Sequence, residues 1–160
     1  MANNYTQTSF FVPLSDVQID WCEMALRQAE ECCDEPEGTA INCDDADIVA
    51  LVEGWRESGY QPYVEACRSD QNGVSGLWFS NGPHECVDLW FIAELLCGLT
   101  HKFPEIQPVG LMWADTCSKP RIDGFSGGAI VVWKGEAEWH NAETWLDKAI
   151  EARMVGAISA

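Results

Sequence analysis

The chain predicts an α+β domain: an antiparallel or mixed sheet with helices packed on one face, ferredoxin-like in spirit, interrupted by an acidic insertion over residues 30–73. Three observations carry that expectation. Short runs of β-branched and aromatic residues recur along the chain and close at proline or glycine. Segments with apolar residues at helical spacing stand between them. One acidic stretch follows neither pattern. At 160 residues the length predicts a single domain, 1–160, and no internal repeat is visible.

Taken in order, Tyr5 to Val12 reads as a first strand ending at Pro13. Ser15-Asp16-Val17-Gln18 is a capping box that starts a helix running to about Glu31. Val17, Trp21, Met24 and Gln28 mark one face of that helix, flanked by Ala25 and Ala29. Pro36 and Gly38 break any helix, and Asn42 to Asp47 is able to restart one. Ile48 to Val52 is apolar and short, helix or strand, and residues 58–73 read as irregular surface with turns. Val74 to Ser80 is a strand closed by Asn81-Gly82, and Pro83 suits the first turn of a helix. Residues 84–98 are apolar nearly all round, which predicts a buried helix. Pro108 to Ala114 and Gly127 to Trp133 are strands joined by a long hairpin loop, Asp115–Ser126. Asn141 caps a last helix from Ala142 to about Arg153, with Trp145, Leu146, Ala149, Ile150 and Arg153 on one stripe.

Composition excludes several classes. Nine Lys+Arg stand against 26 Asp+Glu, a net charge of −17, so direct nucleic-acid binding lacks its basic face. A 47% hydrophobic fraction and eight Trp exclude global disorder. No apolar run reaches the ~18 residues of a membrane span. The segment Met1 to Thr6 has no basic or apolar signal region, so a cytoplasmic location is expected. The eight cysteines form no C-x-x-C pair and are expected to be reduced, core-filling thiols, with a vicinal Cys32–Cys33 redox pair as the sharper alternative.

Trp113-Ala114-Asp115-Thr116-Cys117-Ser118-Lys119-Pro120-Arg121, followed by Gly124-Phe125-Ser126-Gly127-Gly128-Ala129, resembles a hairpin pattern of uncharacterised bacteriophage and mobile-element proteins. Leu77 to Ser80 and His84-Glu85 are similar too, so the resemblance covers the last half of the chain. It implies a phage or mobile-element setting, in which small acidic proteins are often inhibitors of host defence, including anti-CRISPR and anti-restriction proteins. It carries no assigned chemistry. The acidic stretch 30–73 departs from the pattern and is where an activity particular to this chain is expected.

Residues 16–57 hold 13 acids and two arginines, a net of −11. Seventeen charges spread over about 8,000 Å² amount to roughly one per 470 Å². Duplex DNA carries about one per 100 Å². An even spread is therefore too dilute to imitate DNA, and the −11 segment reaches a comparable density only when gathered on a patch of roughly 1,200 Å². The predicted partner-binding residues are Glu30, Glu31, Asp34, Glu35, Glu37, Asp44, Asp45 and Asp47, with Trp55 as an exposed anchor. The expected partner is a basic protein surface of a nucleic-acid-binding defence complex, met with fast, salt-sensitive association. A merely solvating acidic surface on an accessory protein is the plain alternative.

No catalysis, metal or cofactor is expected. Asn42 to Asp47 supplies oxygen ligands without the EF-hand pattern. The phosphate-loop, dinucleotide and zincin motifs are absent. The enzymatic alternative is a thiol nucleophile at Cys117, with His101 or His140 as base and Asp115 orienting it. A metal-dependent nuclease using Glu136, Glu138 and Asp115 would repel its own substrate.

Overall fold

A computed structural model describes residues 4–33, 40–81, 86–118 and 126–158. Six strands, β1 (Asn4–Pro13), β2 (Glu65–Gln71), β3 (Val74–Ser80), β4 (Val109–Cys117), β5 (Ser126–Trp133) and β6 (Glu136–Asn141), form one sheet in the order β2-β3-β1-β4-β5-β6. Every pairing is antiparallel, so the sheet is not mixed. Four helices complete the α+β fold: α1 (Asp16–Cys33), α2 (Ala46–Ser58), α3 (Leu89–Lys102) and α4 (Ala142–Ile158). The likeness to a ferredoxin-like arrangement is loose.

The core lies between one sheet face and α1–α3. Val12, Leu77, Phe79, Leu111, Ile130 and Val132 supply its sheet side, and Trp21, Ile48, Val52, Phe91, Leu95 and Leu99 its helix side. Gly98 lets three helices meet. A Cβ there would stand 3.2 Å from the Trp21 ring of α1 and 3.3 Å from Leu51 of α2.

Strand alternation accounts for β1, β3, β4 and β5, which form as expected, except that β4 runs through Asp115 to Cys117 and pairs Asp115 with Ser126 where a loop was expected. Two hairpins were not expected. Residues 65–71 form β2 rather than irregular surface, and residues 136–141 form β6. Each is joined to its neighbour by a two-residue turn with both residues at positive φ: Asn72 (58°) and Gly73 (81°), then Lys134 (51°) and Gly135 (84°). Such turns match the twist of the flanking strands, so these segments pair as tight hairpins.

The helices also depart from expectation in detail. Val17 is 68% exposed, because the inward stripe of α1 runs through Gln18, Trp21, Cys22, Ala25, Gln28, Ala29 and Cys32 instead. Residues 46–58 are one regular helix, so the stretch 30–73 is not simply an insertion: it contributes α2 to the core and β2 to the sheet. Asp88 caps α3 by accepting from the amides of Trp90 (3.0 Å) and Phe91 (3.2 Å), so the helix begins at Leu89 and runs to Lys102. Pro83, expected to open it, lies outside the described residues. Asn141 caps α4 as expected, accepting from Glu143 (2.9 Å) and Thr144 (3.1 Å). The α4 stripe is not buried: Trp145, Leu146 and Ile150 are all exposed.

The hairpin motif of β4 and β5 has a packing role. Trp113 pairs with Gly128, and a Cβ on Gly128 would meet the Trp113 ring and the carbonyl oxygen of His140. Asp115 accepts from Thr6 Oγ1 (2.7 Å), Ser126 Oγ (2.5 Å) and Trp113 Nε1 (3.3 Å), tying β1, β4 and β5 together. Part of the motif, Lys119 to Phe125, lies outside the described residues.

Among the described residues no helix covers the centre of the other sheet face. By register it carries the odd-numbered residues of β1 from Tyr5, the even-numbered residues of β3 from Val74 and of β4 from Gly110, and the odd-numbered residues of β5 from Gly127. None of these is charged, in a chain that is 22% charged.

Candidate functional site

α1 and α2 pack against each other, and their solvent sides are rich in carboxylates. The cause is helical spacing. With positions 18, 21, 22, 25, 28, 29 and 32 of α1 turned inward, Asp16, Asp20, Arg27, Glu30 and Glu31 face solvent and Glu23 is half-buried. On α2, burial of Ile48, Val52 and Trp55 leaves Asp47, Glu53 and Glu57 exposed. Arg27 and Arg56 are the only cations in these two helices.

Two cations from elsewhere tie part of this surface down. Arg68 of β2 donates from Nε to Glu23 Oε1 (2.7 Å), and from Nη2 to Glu23 Oε2 (2.7 Å) and Asp20 Oδ1 (2.6 Å). These bonds, Glu23 first and then Asp20, push the guanidinium pKa further up and fasten α1 to the sheet edge. Lys102 at the end of α3 donates to Asp45 Oδ2 (2.7 Å) and Asp47 Oδ2 (2.8 Å), and both bonds raise its pKa. Partial burial pushes the Asp45 carboxyl up, but the hydrogen bonds from Lys102 and from the amides of Asp47 and Ile48 outweigh it and hold its pKa below the usual value. Each cation faces two carboxylates, so both clusters remain anionic.

The predicted residues thus separate into groups. Glu30 and Asp44 are exposed and have no ion pair among the described residues; the same holds for Asp16, Glu53 and Glu57. Glu31 is exposed, accepts from Gln28 (2.7 Å) and lies 4.0 Å from Arg27. Asp45 is the N-cap of α2, accepting from the amides of Asp47 (3.0 Å) and Ile48 (3.4 Å); its first role is structural. Asp34, Glu35 and Glu37 lie outside the described residues. Trp55 is not an exposed anchor: it is 1% exposed, its ring 4.2 Å from that of Phe91. The spacing Ile48-Val52-Trp55 turns it inward with the other apolar residues of α2.

A groove of about 510 Å³ between α1 and β2 is lined by Glu23, Arg27, Glu30 and Glu65. Glu65 was missed at the sequence level because its segment was not read as a strand. The Asn72-Gly73 dipeptide was the signal for it.

The geometry does not assemble a thiol site at Cys117. His140 is level with Met112 through Ala129, five residues and two strands away from Cys117, or about 19 Å by strand spacing. His101 packs at Gly135, in the turn at the opposite end of β4 and β5. Asp115 is engaged by Thr6, Ser126 and Trp113. Burial and the neighbouring Glu23 push the Cys22 thiol up to about 12, far from the range of a nucleophile. Cys97, in a groove with Glu94 and His101, is also raised, by burial and then by Glu94 and Glu136. Cys22, Cys32, Cys43, Cys67, Cys86, Cys97 and Cys117 form no disulfide. Among the described residues no group of three or more His, Cys, Asp or Glu is placed to hold a metal ion, and no helix is long and apolar enough to cross a membrane. Comparison with protein-family models, with curated proteins and with solved structures finds no match for the chain.

Proposed function

We propose that the protein acts by stoichiometric binding, as a phage or mobile-element inhibitor whose anionic helix layer occupies the Lys/Arg-lined, nucleic-acid-binding surface of a host defence complex. The observation that supports this reading is the placement of Asp16, Glu30, Asp44, Glu53 and Glu57 on or beside two packed helices, exposed and without cationic partners among the described residues. Unpaired carboxylates on a rigid layer attract a basic surface at long range and lose no existing ion pair on docking. Those already held by Arg68 and Lys102 fix the layer in place and add a weaker field.

The test uses complexes captured from nuclease-treated host lysate at low salt. The variant Glu30→Lys/Glu31→Lys/Asp44→Lys/Glu53→Lys/Glu57→Lys changes exposed positions and spares the α2 cap and both cation clusters. Wild-type binding is expected to compete with duplex DNA and to weaken steeply from 50 to 200 mM salt. The variant is expected to melt as a folded protein and to lose the partner. A folded variant that binds at wild-type strength refutes the proposal. Cys117→Ala is expected to leave binding unchanged, whereas a thiol enzyme would lose its activity.

A further inference from the structure

The open face of the sheet is a broad surface at odds with the charge of the rest of the chain. In a protein of net charge −17, the outward residues of β1, β3, β4 and β5 include no Asp, Glu, Lys or Arg. Met112 at its centre is 76% exposed, and Trp78 (41%), Val131 (47%) and Trp133 (49%) stand around it. These exposures hold with α4 in place. Charge returns at the margins, with Glu65 on β2, Glu136 and Glu138 on β6, and Lys134 in the β5–β6 turn, whose Nζ stands 4.4 Å from the Trp133 ring centroid. An apolar centre within a charged rim is the anatomy of an interface.

We propose that this face binds a second copy of the chain, forming a two-fold dimer centred on Met112. Three arguments select that occupant. A partner with charged groups would bury them without counter-charges, so the complement must itself be uncharged and apolar. The same patch on another copy meets that requirement, and a two-fold axis makes it self-complementary. Repulsion between the acidic helix layers disfavours self-association through them, and pairing by the open faces turns those layers to opposite sides of the dimer. The area is also adequate. Each residue on one face covers about 6.6 by 4.8 Å, so the patch spans roughly 540 Å² in plan. Side-chain relief raises its accessible area toward the ~800 Å² per partner of a standard interface. Monomers rarely leave a contiguous apolar patch of more than a few hundred Å² exposed.

This inference is independent of the acidic-face reading, and salt separates the two. Binding of a basic partner weakens as salt rises. Association of two like-charged chains through an uncharged face strengthens, because only the repulsion is screened. The experiment is sedimentation equilibrium on the purified 160-residue chain from about 1 to 100 μM, at 50 and 500 mM NaCl. A mass twice the 17.8 kDa of the chain is expected, with the dissociation constant several-fold lower at 500 mM NaCl. Met112→Glu brings two like charges together at the axis and is expected to weaken the dimer at least tenfold. Trp133→Gln, which removes apolar contact without adding charge, is expected to weaken it less. A thermal melt of each variant, monitored by circular dichroism, checks folding. Wild-type protein that stays monomeric at 100 μM in 500 mM NaCl overturns the proposal, even where a different protein then proves to cover the face. Folded Met112→Glu that dimerises like the wild type overturns it as well.

Discussion

Replacing Trp55 distinguishes a core residue from a binding anchor. Its side chain is 1% exposed, and its ring lies 4.2 Å between centroids from that of Phe91, tilted by 32°. About 200 Å² of mostly apolar surface leaves water when such a ring is buried, which at ~25 cal/mol/Å² is worth roughly 5 kcal/mol. Partial collapse of the cavity brings Trp55→Ala to an expected loss of about 3–5 kcal/mol. That corresponds to a melting-point drop of about 6–20 °C for a domain of this size. Trp55→Phe is predicted to behave very differently. The indole N–H is buried and has no partner among the described residues. Losing about 40 Å² of ring costs about 1 kcal/mol, while removing the unpaired donor returns about 1–3 kcal/mol. The phenylalanine variant should therefore lie between neutral and about 2 kcal/mol more stable. Urea denaturation followed by far-ultraviolet circular dichroism measures both. A Trp55→Ala midpoint equal to that of the wild type refutes the burial argument, and a phenylalanine variant as unstable as the alanine one refutes the role given to the unpaired N–H.

Three further predictions rest on local geometry. Asp45→Ala removes the α2 cap and one partner of Lys102, with an expected cost of about 1–2 kcal/mol at pH 7. Because the folded-state pKa of Asp45 is lowered, its stabilisation is present above the unfolded value near 3.9 and is lost as pH falls through the folded one. The gap between wild type and Asp45→Ala in denaturation midpoint should therefore close toward pH 2. Glu94 has the opposite sign: burial, then the nearby Asp88, raises its pKa, so its favourable contribution is present at low pH and is lost as pH rises through the folded value. Glu94→Gln should raise the melting temperature at pH 7 by about 1–2 °C after solvent screening and leave it unchanged near pH 4. Gly76→Ala places a methyl group against the Val12 carbonyl oxygen and the Phe11 ring; a loss of at least about 2 kcal/mol is expected, and calorimetry showing none refutes the close approach.

The α+β class, β1, the α1 and α4 caps and the core strands were legible in the sequence because each is written in local periodicity or capping chemistry. The β2–β3 and β5–β6 hairpins were legible too, in Asn72-Gly73 and Lys134-Gly135, but polar strands with weak alternation hide behind such turns. The acidic site was legible as a concentration of charge. Its division into free and paired carboxylates was not: Arg68 lies 45 residues from Glu23, and Lys102 lies 57 from Asp45.

The amino-acid order by itself determined where β1, α1, β3 and α4 begin, that the chain is strongly anionic, and that its acids crowd into residues 16–57. Tertiary packing alone decided that Trp55 faces Phe91, that Arg68 and Lys102 each clamp two carboxylates, and that an uncharged sheet face stays open. The physical reason is range. Periodicity and caps act over a few neighbouring residues, whereas burial and charge pairing depend on which distant segments the sheet order brings side by side.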